Sequence, residues 1–127
     1  MIRVAIADDH PEMRMALRLL LSLSEDVELV CESVHGLEAL ECVQGLEPDV
    51  LVIDHYMPEL TGLEAVKQIA ALGLTTRIIM ISLRGGGVRA AQAREAGALG
   101  FVPKEEVGLS LLPAIRAVYG GETFYMD

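Results

Sequence analysis

Five polar side chains stand at places where short apolar runs end. Asp8 and Asp9 follow IRVAIA directly, Asp54 closes PDVLVID, Ser82 closes TRIIMIS, and Lys104 comes just after GFV. Adjacent carboxylates repel, and a third at the same rim makes the repulsion worse. A hard divalent cation resolves it, because Mg²⁺ takes few carboxylates together with water and phosphate oxygens. Asp9 and Asp54 would ligate directly, a backbone carbonyl just past Asp54 would add a third oxygen, and Asp8 would act through water or orientation. Lys104 brings a positive charge, and Ser82 brings a hydroxyl donor. Together they suit phosphoryl transfer to a carboxylate. Asp54 attacks, the cation and Lys104 neutralise charge on the transferring oxygens, and Ser82 donates to one of them.

Each residue alone has a plainer reading. Acids at strand ends often cap helices, a serine there is often a turn residue, and a lysine is usually a solvated surface group. His10 and His55 stand beside the carboxylates, yet neighbours along a chain seldom aim at one ion. A transition-metal site is therefore not expected, and His10 reads as the start of the loop before Pro11.

Such a set converges only if the elements are laid in parallel. IRVAIA, VELVCESV, PDVLVID, TRIIMIS and ALGFV read as strands. EMRMALRLLLSLS, GLEALECVQGL, TGLEAVKQIAAL, VRAAQAREAG and VGLSLLPAIRAVYGG read as helices. Alternation of this kind predicts a doubly wound α/β fold, a five-stranded parallel sheet with helices on both faces. In such sheets ligands bind beyond the carboxyl ends of the strands. Gly36 and Gly62 open helices, Gly45, Gly73 and Gly97 read as stops, and Pro113 implies either a late helix start or a kink.

The 127 residues fit one domain, and a hydrophobic fraction of 52% supports a packed core. With no Trp and few aromatics, that core must be aliphatic. A net charge of -9 argues against direct contact with nucleic acid, which needs a basic face. Cys31 and Cys42 lack zinc-ligand spacing and read as free thiols in a reducing compartment. No basic leader and no membrane-length apolar run is seen, so a cytoplasmic location is expected. Residues 1–121 form the domain, and 122–127 are its end or the start of a linker.

ADDHP at 7–11, DHYMPELTG at 54–62, the ISL around Ser82 and GFVPKE at 100–105 resemble the receiver domain of bacterial two-component response regulators. The resemblance spans nearly the whole chain. It implies the strand order 2-1-3-4-5, a sensor histidine kinase as phosphodonor, and Mg²⁺ (or Mn²⁺) as cofactor. It implies further that Asp54 is the phosphoacceptor, Asp8 and Asp9 the acidic pair, and the Tyr56 carbonyl a metal ligand. Ser82 and Lys104 match the hydroxyl and lysine positions, and Phe101 matches the aromatic switch position. ADDHP and AIRAVYGGETFYM resemble the subgroup whose receiver precedes a LuxR-type helix-turn-helix output domain, absent here. That would make the chain the regulatory part of a transcription factor, with a homodimer as a further partner. The candidate dimer faces are the last helix with the fourth, or the last with the first.

Three departures from the family pattern matter. Many members have Lys followed by Pro, whereas this chain reads Pro103-Lys104-Glu105. Leu83 stands where a small residue is usual and borders phosphate access. The glycines of RGGGV predict a mobile loop before the fourth helix. Tyr56 and Arg84, two residues past Asp54 and Ser82, are large and would slow self-dephosphorylation by crowding water. The alternatives are a degenerate receiver that binds partners without phosphate, and a phosphatase, for which the chain has neither a second essential Asp after the nucleophile nor the length for a cap.

Overall fold

The computed structural model describes residues 1–127. Strands β1 (Ile2–Ala7), β2 (Val27–Ser33), β3 (Val50–Asp54), β4 (Arg77–Ser82) and β5 (Gly100–Pro103) alternate with helices α1 (Pro11–Ser22), α2 (Gly36–Leu46), α3 (Gly62–Ala71), α4 (Ala90–Ala96) and α5 (Val107–Tyr119). All strand pairs are parallel, in the order β2-β1-β3-β4-β5-β6.

Period-2 alternation sorts each strand between two cores. Ala5, Ala7, Leu51, Ile53, Ile78, Met80 and Phe101 face α2, α3 and α4, where Ala39, Val43, Ala65, Val66, Ile69 and Ala93 cover them. Val4, Ile6, Val50, Val52, Ile79, Ile81 and Val102 face the other way, under Leu17 and Leu21 of α1 and Leu111, Ile115 and Val118 of α5. Because β3 and β4 are covered on both faces, their sequences are near-continuous apolar runs ending in one polar residue each. That is what brings Asp54 and Ser82 to the same edge.

Local chemistry sets the helix starts. Pro11 occupies the first position of α1, where its missing N–H costs nothing. The His35 ring and the Thr61 hydroxyl each accept a cap bond from the backbone three residues on. Gly97 ends α4 in the left-handed region, at φ 116°. Gly62 is required for another reason: a Cβ there would meet the His55 Cα at 2.7 Å, so only glycine lets α3 begin against the Asp54–His55 peptide.

Three expectations are corrected and one open choice is decided. The sheet has a sixth short strand, β6 (Phe124–Tyr125), beside Gly100 and Phe101 of β5. The tail is tied further by the Tyr125 hydroxyl, which donates to the Ala98 carbonyl, and by Asp127 Oδ1, which accepts from the Ala90 N–H. Helix α5 starts at Val107, where the sequence placed it, after a 3₁₀ turn at Lys104–Glu106, so of the two readings left open the late start is excluded and Pro113 lies inside the helix. Helix α2 runs through Gly45 and stops at Glu47, a non-glycine residue at φ 43°. Finally, Cys31 of β2 and Cys42 of α2 lie sulfur against sulfur with Cα atoms 6.6 Å apart, inside the span of a disulfide. The fold brings the two sulfurs together instead of leaving two separate thiols, which weakens one argument for a reducing compartment. Their meeting depends on how α2 docks on β2, which spacing along the chain does not reveal. No helix is long and apolar enough to cross a membrane.

Candidate functional site

At the carboxyl edge, the ends of β1, β3 and β5 place three charges within contact. Asp8 follows β1, and its N–H is held by the Ser33 carbonyl of β2 at 3.1 Å. Asp54 is the last residue of β3. Lys104 opens the 3₁₀ turn after β5. Its Nζ lies 3.0 Å from Asp8 Oδ2 and 3.1 Å from Asp54 Oδ2. Both carboxylates are buried, and the Lys104 side chain is only 7% exposed. Asp9 is more open and forms part of the rim.

One lysine does not satisfy this set. Asp8 Oδ2, Asp9 Oδ1 and Asp54 Oδ2 are buried atoms without a well-directed hydrogen-bond donor. Burial, and then the charge of Asp8, push the Asp54 carboxyl up to about 6, against the pull of Lys104 and the Tyr56 N–H. Buried carboxylate oxygens with spare lone pairs are what a divalent cation takes, so the residues fit one. A cleft of about 450 Å³ opens above Asp54, bordered by Asp9, Tyr56, Ser82, Leu83, Gly86 and Lys104.

The remaining candidates divide. Ser82 borders the cleft, and its only hydrogen-bonding neighbour is the Leu83 carbonyl at 3.5 Å, so its hydroxyl is free to turn. Leu83, 58% exposed, stands at the mouth. Tyr56 is exposed beside the acceptor. Arg84 is turned away: its guanidinium pairs with Glu106 at 3.1 Å, and its N–H donates to Glu105. It lines a neighbouring cavity of about 600 Å³, together with Ser82, Arg89, Gln92, Phe101 and Asp127. Phe101 is 3% exposed, with its ring packed into the α2–α3–α4 core. Gly85 and Gly87 take positive φ, and the Gly86 N–H donates to the Leu83 carbonyl.

Two participants were not foreseen. Gly86 passes so close that a Cβ would lie 3.2 Å from Ser82 Oγ. His10, read as a loop residue, turns its ring into the acid cluster, with Nδ1 3.1 Å from Asp8 Oδ1 and 3.2 Å from Asp9 Oδ1. The signal was Pro11, which holds the preceding residue extended. His55 behaves as the sequence suggested: it packs edge-on against Tyr56, 5.2 Å between ring centres, outside the cluster.

A family model described as the response regulator receiver domain matches residues 4–116. Over 121 residues the chain is 36% identical to a protein described as a transcriptional regulator of Pseudomonas aeruginosa, covering 95% of this chain and 58% of that one. The fold is similar to the response regulator domain of Thermotoga maritima CheB, with a TM-score of 0.84 at 32% identity, covering 94% of this chain and 97% of that one. It is also similar to a LuxR-family two-component response regulator from Aurantimonas sp. SI85-9A1, with a TM-score of 0.87 at 30% identity, covering 96% and 87%.

Proposed function

Because this chain belongs to the response regulator receiver domain family, we propose that it is a phosphorylation switch with Asp54 as acceptor. The observation that carries the reading is the under-donated trio of Asp8, Asp9 and Asp54 with Lys104 across it. A carboxylate oxygen of Asp54 attacks phosphorus of a kinase phosphohistidine. The P–N bond breaks, a P–O bond forms, and the histidine leaves as neutral imidazole after taking up a proton. At neutral pH Asp54 remains mostly ionised despite its burial, as attack requires. Lys104 moves its ion pair from Asp54 to the arriving phosphoryl group, and Ser82 turns its hydroxyl onto another phosphoryl oxygen. Mg²⁺ or Mn²⁺ held by Asp9, Asp54 and the Tyr56 carbonyl, with Asp8 behind them, supplies charge neutralisation at the transferring oxygens.

Movement of Ser82 opens space beside Phe101, whose ring borders the 600 Å³ cavity. Loss of that packing passes to α4, β5 and the tail tied to them. The chain spans about 58% of the curated relative with the highest identity given above, which supports an output segment after residue 127. We assign residues 1–121 to the receiver and 122–127 to its end, where β6 closes the sheet before any linker, and we propose a LuxR-type helix-turn-helix output, a histidine kinase partner, homodimerisation and a cytoplasmic setting. The acidic surface leaves DNA contact to the output segment.

Acetyl phosphate with Mg²⁺ tests the core of this. Asp54 gains a phosphoryl group, seen by mass, and Asp54→Ala abolishes it. A folded native chain that stays unmodified would instead make this a phosphate-independent interaction module.

A further inference from the structure

His10 is not needed by the mechanism above, yet it is aimed at its centre. Its backbone N–H donates to Asp8 Oδ1 at 2.8 Å and its backbone is extended ahead of Pro11, which sets the ring at the mouth of the cluster with its side chain 55% exposed. Nδ1 lies 3.1, 3.2 and 3.7 Å from oxygens of Asp8, Asp9 and Asp54. One donor atom from each of these four residues falls within 4.8 Å of all the others. An octahedral ion with bonds of about 2.1 Å has cis donors about 3.0 Å apart and trans donors about 4.2 Å apart. Of the oxygens that would ligate directly, that of Asp9 lies close to an edge of such a shell from Nδ1, and that of Asp54 stands about 0.7 Å beyond one. Independently, Asp8 and Asp54 are each at least 98% buried, and the Oδ2 of each faces the cluster with only the Lys104 ammonium beside it and no well-directed hydrogen bond.

We propose that His10 Nδ1 is a metal ligand, and that it tilts this site from Mg²⁺ toward divalent transition ions such as Mn²⁺ and Co²⁺. Mg²⁺ favours an all-oxygen shell, whereas imidazole nitrogen is a better donor to the later ions. At Asp8 the two are separate, Lys104 meeting Oδ2 and His10 meeting Oδ1, but both face Asp54 Oδ2, so an ion held by His10 and Asp54 shares that oxygen with Lys104 or takes it over. The inference rests on the metal-assisted phosphoacceptor reading of the same site.

Pulsed electron paramagnetic resonance of the Mn²⁺-loaded chain, with histidine labelled in ¹⁵N, tests ligation directly. A nitrogen coupling from a bound imidazole is expected. It should vanish in His10→Ala and persist in His35→Ala, whose ring belongs to the α2 cap. Competition titrations should show the Co²⁺-to-Mg²⁺ affinity ratio falling roughly ten-fold or more in His10→Ala. Absence of nitrogen coupling in the native chain, or an equal loss of both ions, overturns the inference and leaves His10 as an orienter of Asp8. Phosphorylation of the native chain with Mg²⁺ and acetyl phosphate, run in parallel, separates the failures. Its presence without nitrogen coupling sinks only the role of His10, and its absence sinks the phosphoacceptor reading.

Discussion

Carboxylates gather at both edges of the sheet, but they live differently. At the amino edge, Asp49 accepts the Arg3 N–H at 2.8 Å, while its own backbone bonds both Arg3 and Arg77. Asp26, ahead of β2, meets the Arg116 guanidinium of α5 and the Ser24 hydroxyl. Those side chains have found their donors and stitch helix to strand. At the carboxyl edge, Asp8 and Asp54 are buried with one lysine shared between their Oδ2 atoms, neither of which receives a well-directed hydrogen bond. Burying an unmatched charge is costly, and folds normally avoid it. The amino edge is therefore complete as it stands, while the carboxyl edge is completed by what arrives: a cation, a phosphoryl group, or both.

Removing the cation paired with carboxylates at each edge, Lys104 at one and Arg116 at the other, separates them most sharply. Lys104→Met should lower the initial rate of phosphorylation by acetyl phosphate by roughly 10²-fold or more, since it removes charge placed against the transferring group. Arg116→Ala should leave that rate unchanged, because its partner Asp26 lies at the opposite edge. Rates come from the mass of Asp54 over time, with circular dichroism to confirm folding. Similar losses in both variants would erase the distinction.

Next in size is pH dependence, where the edges carry opposite signs. Asp54 titrates at about 6 when folded, against an ordinary 3.8, so the folded state binds its proton more tightly. Stability from this group is full below the ordinary value and is lost as pH rises through 6. The loss is on the order of 3 kcal/mol. Asp26 is held well below the ordinary carboxylate range by Arg116 and Ser24, so what it contributes is present above that range and lost in acid. Urea unfolding in chelator from pH 4 to 7 should show the decline, and Asp54→Asn should flatten it. A decline that survives Asp54→Asn would place its origin elsewhere.

Smaller again is Asp49→Ala. It strands the Arg3 N–H and should cost about 1 to 2 kcal/mol in urea unfolding, with no change in phosphorylation rate. A slowed rate there would mean that the edges communicate.

The same contrast explains what could be read from the sequence. Strand ends are marked by a break from apolar to polar, so Asp8, Asp54, Ser82 and Lys104 could be named, and parallel winding told where they meet. Side-chain direction across a turn leaves a fainter mark. His10 needed Pro11 to be weighed as a constraint on its neighbour, and Arg84 was expected over the acceptor although Glu105 and Glu106, twenty residues on, draw it off. The Cys31–Cys42 contact and β6 are tertiary outcomes. A two-residue strand has too few positions to show an alternation.

The placement of Arg84 yields the finest test of the carboxyl edge. Tyr56 and Arg84 occupy equivalent offsets from Asp54 and Ser82, yet only Tyr56 borders the cleft over the acceptor. Water attacking an Asp54 phosphate must pass the Tyr56 ring, while the Arg84 side chain stands in the adjoining cavity. Tyr56→Ala should shorten the phosphate lifetime about three-fold, roughly 0.6 kcal/mol of barrier, and Arg84→Ala should change it less. Decay of the phosphorylated mass after donor removal measures both. A larger effect from Arg84→Ala would require that its pair with Glu106 breaks on phosphorylation, returning the guanidinium to the acceptor and making the loop from Leu83 to Arg89 the part of this edge that moves.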